Sequence, residues 1–133
     1  MIEHKNLDYV VNFLKSLGAT EISEWDFKGN CYDPEKFTVS APLLSIQGKD
    51  HRNFHLAEDD PRNYDYSANI RIKFDKNFIK LRLYEFFDNW RNGEYSYSIT
   101  HKSYVRGIEN LESGFLRLIE CSPNDELKNT FLK

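Results

Sequence analysis

The residues best equipped for chemistry lie in two stretches of different character. The first, GKDHRNFHLAEDDPRNYD at 48–65, combines His51 and His55 with Glu58, Asp59, Asp60 and Asp65. Imidazole and carboxylate together suit zinc, iron or manganese, so His51, His55 and Asp59 are the nearest approach to a metal set. Such a pair needs a helix to bring residues four apart onto one side. The flanking KDHRN is a poor helix former, and the H-E-x-x-H order of zinc hydrolases is absent. A solvated loop is therefore the expectation, with a metal-dependent hydrolase as a weak alternative and no cofactor.

The same region reads better as a contact surface. In AEDDPRNYDYS at 57–67, the acids Glu58, Asp59 and Asp60 precede Tyr64, and Asp65 stands between Tyr64 and Tyr66, so the acids could meet a basic groove on a partner while the two tyrosines supply anchors. The second stretch has the opposite sign. Phe78, Lys80, Arg82, Tyr84 and Phe86 share one side of a strand, and Arg71 and Lys73 join them from the strand before. Basic side chains beside aromatic platforms are what single-stranded nucleic acid selects.

Other chemistries are poorly served. There is no Gly-x-Ser-x-Gly elbow, and the glycines at 18, 29, 48, 93, 107 and 114 never cluster into a phosphate loop. Cys31 and Cys121 match no metal or redox spacing and are predicted to be buried and reduced; pairing either with His101 would need a coincidence of folding. Acids are too numerous for any two to mark a glycosidase pair.

These side chains need elements to carry them. The chain is organised around 66–105, read as three antiparallel strands. Tyr66, Ala68, Ile70, Ile72 and Phe74 alternate with polar residues, the period of a sheet with one dry face. Ile79, Leu81, Leu83 and Phe87 continue that face in the second strand, and YSYSITHKSYV forms the third. Asp75-Lys76-Asn77 and Asn92-Gly93 are the expected turns. Leu7, Val10, Val11, Leu14 and Leu17 recur at helical spacing, with Asn6 as the expected start cap and Gly18 as a left-handed stop. Two shorter strands are expected at 20–28 and 38–47, the latter at an edge or bulged at Pro42. Beyond Gly107, IENLESGFLRLIE reads as a helix whose Gly114 suggests close packing on a strand, and Ser122 caps a last helix with Pro123 at its first position.

The predicted fold is thus α+β: a two-layer antiparallel sheet, the meander at 66–105 extended to five strands, covered on one face by the N-terminal helix and the C-terminal helices. At 133 residues, 40% hydrophobic, the chain suits a single small domain. Ten Phe, eight Tyr and two Trp are more rings than one small core hides. The net charge is -3, yet Ile70–Arg106 holds eight basic residues against four acidic ones. No apolar run is long enough to span a bilayer, and charges at Glu3, Lys5, Asp8 and Lys15 interrupt the start, so a soluble cytoplasmic protein is expected. The leading functional expectation is a non-catalytic protein-binding module, an acidic inhibitor, immunity-type or chaperone-like protein with a basic partner. Single-stranded nucleic-acid binding through Arg71, Lys73, Phe78, Lys80, Arg82 and Tyr84 is the alternative.

Overall fold

The computed structural model describes residues 5–25, 36–46, 64–89 and 97–132. The elements are α1 (Lys5–Ser16), β1 (Ser23–Trp25), β2 (Lys36–Ile46), β3 (Tyr64–Asp75), β4 (Phe78–Asn89), β5 (Tyr97–Arg106), a 3-10 turn (Ile108–Asn110), α2 (Leu111–Glu120) and α3 (Asp125–Phe131). The strands form one antiparallel sheet in the order of the chain, β1-β2-β3-β4-β5. Alternation explains its two faces. Ala68, Ile70, Ile72 and Phe74 of β3 stand beside Ile79, Leu81 and Leu83 of β4 and Phe37, Val39 and Ala41 of β2, and all are buried.

The helices supply the second layer. Leu7, Val10 and Leu14 of α1 join the core, as do Leu111, Phe115, Leu118 and Ile119 of α2 and Leu127 of α3. Phe115 takes edge-on contacts from Phe13 of α1 and Phe131 of α3, which ties the three helices together. Gly18, at φ 92°, ends α1 in a Schellman arrangement: Ala19 donates to the Leu14 carbonyl and Gly18 to that of Lys15. Asn6 lies within α1 rather than capping it. The two-residue β3–β4 loop needs a left-handed residue, and Lys76 takes that role at φ 56°.

The early strands are real but unequal. β1 has three residues, and β2 runs for eleven. Past Ser40, β2 has no described partner on the β1 side, and its register against β3 shifts between Pro42 and Leu44. Proline cannot donate to a ladder, so the bulge falls where its missing N–H costs least.

Gly114 lies where α2 crosses the sheet. A β-carbon there would stand 2.7 Å from Val105 Cγ1 and 3.4 Å from Leu81 Cδ1. Valine is stiff about χ1 and cannot swing aside. Gly114→Ala is therefore expected to lower stability by about 1 kcal/mol, because overpacking outweighs the helix-propensity gain of about 1 kcal/mol. A urea midpoint higher than that of the wild type would contradict the close approach.

Candidate functional site

The uncovered face of the sheet collects the basic residues into cross-strand rows. Arg71, Arg82 and Lys102 stand opposite one another on β3, β4 and β5, and the next row holds Lys73, Lys80 and Tyr104. Like charges directly opposite one another disfavour a sheet, and together these cations concentrate positive potential on this face. Rings interleave with them. Phe78 and Tyr104, 44% and 50% exposed, stack at 5.7 Å, and Lys80 Nζ lies 5.7 Å from the centre of the Tyr104 ring. Farther along, the Arg71 guanidinium stands 5.3 Å over the Tyr84 ring, and Arg82 Nη1 donates to the Tyr84 hydroxyl at 3.3 Å. The hydrogen bond from Arg82, with the positive charges of Arg71, Arg82 and Lys80, holds the Tyr84 phenol below its ordinary value, against a smaller upward push from burial. Arg82 Nε is buried without a hydrogen-bond partner among the described residues.

The face is bipolar. At its far end Asp65 and Asp88 stand opposite one another, bordering a hollow of about 340 Å³ with Ser45, Ser67 and the exposed Phe86. A second hollow, of about 410 Å³, opens beside the β2 bulge and is bordered by Glu21, Ser40, Pro42, Asn69, Arg71 and Tyr84, among others.

The covered face holds an unforeseen cluster. Glu85 is in phase with Ile79, Leu81, Leu83 and Phe87, and is 1% exposed. Its Oε2 accepts from the Tyr66 hydroxyl at 2.5 Å and the Ser122 hydroxyl at 2.6 Å. Its Oε1 lies 2.7 Å from His101 Nε2, which as the partner of an acceptor carries the proton. The carboxylate thus joins β3, β4 and β5 to the α2–α3 turn. Ser122 is held there and does not cap α3; Asn124 caps it, accepting from the Leu127 N–H at 2.9 Å.

Tyr66 is 4% exposed with its hydroxyl engaged by Glu85, which corrects its expected role as a surface anchor. Burial, reinforced by the hydrogen bond and charge of Glu85, raises its phenol well above the ordinary range. The sign follows from linkage: the folded state keeps a proton that the unfolded chain releases above its own value of about 10, so stability is intact below that pH and falls above it. Urea midpoints are expected to drop between pH 9 and pH 11, and the drop should be smaller in Tyr66→Phe. Equal drops in the two proteins would remove Tyr66 as its cause.

The acidic set is only partly placed. Glu58, Asp59 and Asp60 lie outside the described residues, as do His51 and His55, the Asn92-Gly93 turn and the Tyr64 side chain. Among the described residues no three His, Cys, Asp or Glu gather as a metal set. Cys121 is exposed and free, which corrects the expectation of burial; Cys31 lies outside the described residues. Also among the described residues, no helix is long and apolar enough to cross a membrane. Arg71, Lys73, Phe78, Lys80, Arg82 and Tyr84 do share one face, and Tyr104 completes their platform. Tyr104 was legible only as an alternate residue of β5, because its place beside Phe78 depends on the register.

Fold and surface together define a two-layer α+β protein, its sheet covered by helices on one side and bearing cationic rows and exposed rings on the other. No protein-family model, no curated protein and no solved structure matches the chain.

Proposed function

We propose that this is a non-catalytic module that binds single-stranded nucleic acid on the uncovered face of its sheet. The observation that supports this most is the adjacency of the Arg71–Arg82–Lys102 row to the exposed Phe78–Tyr104 stack. Phosphates would lie along the cations, while bases, which all have a π-face, would stack on the rings. The overall charge of -3 does not oppose this, since association responds to the local field of the face rather than to the sum. A cytoplasmic location belongs to the same proposal.

The test is a titration of labelled single-stranded oligonucleotide, with Lys80→Glu/Arg82→Glu as the control protein. Saturable, salt-sensitive binding lost in the control is expected. The acidic end supports a second reading, a basic protein partner, because Asp65 and Asp88 adjoin the exposed ring of Phe86. Failure to bind any oligonucleotide would overturn the first reading. Affinity capture of a basic protein by the wild-type chain, lost when Asp59, Asp60 and Asp65 are reversed to lysine, would establish the second.

A further inference from the structure

We propose that the hollow beside the β2 bulge is a guanine-selective subsite of this face, an inference that rests on the single-strand reading above. The bulge creates the space. Where the register shifts between Pro42 and Leu44, β2 bends, and a depression of about 410 Å³ opens over Asn69 and Arg71. Its border is chemically two-sided. From β3 come the Arg71 guanidinium, held over the Tyr84 ring, and the Asn69 carboxamide. Just before β1 comes the Glu21 carboxylate, an acceptor set at the edge of a basic face.

Guanine presents the complementary pattern: acceptors at O6 and N7, and donors at N1 and N2. Arg71 and Asn69 donate toward O6 and N7; Glu21 accepts from N1–H and the N2 amino group. The span fits, since β1 and β3 are two strand spacings apart, about 10 Å, and a purine can lie between them. Adenine places an amino donor where guanine has O6 and offers Glu21 no N1–H. Pyrimidines lack N7 and are too short to reach both sides. A carboxylate here would only repel phosphate if the face held nothing but backbone, and base recognition gives it a role. The Phe78–Tyr104 stack lies at the start of β4, six residues before Tyr84 in the middle of the strand, so neighbouring nucleotides would continue toward it across the cationic rows.

The probes are labelled oligouridines of about eight nucleotides, near the size such faces accommodate, with one central position left as U or changed to G, A or C, and 5′-GMP as competitor. The G oligomer is expected to bind about tenfold more tightly than the U oligomer. In Glu21→Gln and in Asn69→Ala the G-to-U ratio should fall to within about twofold, with unchanged circular dichroism, and GMP should compete only weakly. If none of the four binds the wild-type protein, the single-strand reading itself fails. If all four bind alike, or A or C is preferred, that reading stands and the guanine subsite falls. A G preference that survives both substitutions would also overturn the subsite, and GMP binding as tightly as the oligomer would reassign the hollow to a free nucleotide.

Discussion

Glu85→Leu is expected to cost the folded protein about 3 kcal/mol, a large part of the 5–15 kcal/mol that typically separates folded from unfolded chains. The side chain already sits at a core position, so leucine fits the pattern of β4. The loss comes from its partners. Tyr66 and Ser122 would each keep a buried hydroxyl with no acceptor, and His101 would lose the group that orients it. Glu85→Gln should be far milder, near 1 kcal/mol, because a carboxamide oxygen can still accept from both hydroxyls. Replacing the partners as well should recover stability: Glu85→Leu combined with Tyr66→Phe and Ser122→Ala is expected to be clearly less destabilised than the sum of the single changes, the behaviour of a network whose partners are removed together. Urea denaturation of the five variants (Glu85→Leu, Glu85→Gln, Tyr66→Phe, Ser122→Ala and the triple change) beside the wild type decides the matter. A single Glu85→Leu within about 0.5 kcal/mol of wild type would mean that the cluster contributes little to holding the sheet to the α2–α3 turn.

Reversing Lys80 and Arg82 should have the opposite signature, with binding lost and stability kept. If five cations, Arg71, Lys73, Lys80, Arg82 and Lys102, contact phosphates, the logarithm of affinity should fall with the logarithm of salt at a slope near -3.5, about 10²-fold between 50 and 200 mM. Lys80→Glu/Arg82→Glu removes two of those contacts and adds repulsion, so the slope should shrink by at least about 1.4 and affinity should fall at least about 10²-fold at low salt. In the free protein Arg82 stands between Arg71 and Lys102, and Lys80 opposite Lys73. An acid at either position meets opposite charges, and the variant should unfold at an equal or higher urea concentration. Wild-type affinity in the folded variant would show that the rows do not hold the ligand.

Much of the architecture was legible because it follows from local periods. The alternation of Tyr66, Ala68, Ile70, Ile72 and Phe74 identifies the covered face of β3, and the spacing of Leu7, Val10 and Leu14 identifies the buried stripe of α1. Gly18 and Gly114 were readable for a related reason: each marks a place where a side chain is incompatible with the backbone or with its surroundings. Ser122 misled because a serine before proline is a good cap by local rules, while the carboxylate that takes its hydroxyl comes from β4. Glu85 was visible as a charge in phase with four apolar residues, but its acceptable burial depends on three donors spread from Tyr66 to Ser122.

What the sequence alone determined is the set of surfaces: which residues of each element are apolar, which are cationic, and that an antiparallel sheet with helices on one side would use them. Which surfaces meet was decided by tertiary structure, and the β4–β5 ladder shows why. A two-residue Asn92-Gly93 loop closing an unbroken ladder would set Phe87 opposite Ser98 and Leu83 opposite Lys102. The observed ladder sets Phe87 opposite Tyr97, Leu83 opposite His101 and Arg82 opposite Lys102. A slip of one residue moves every side chain of a strand to the other face. It would turn His101 away from Glu85 and remove Lys102 and Tyr104 from the basic face. The register is settled by the burial of Val105 under α2 and by the donors that gather on Glu85, contacts between residues distant in the chain that no local pattern records.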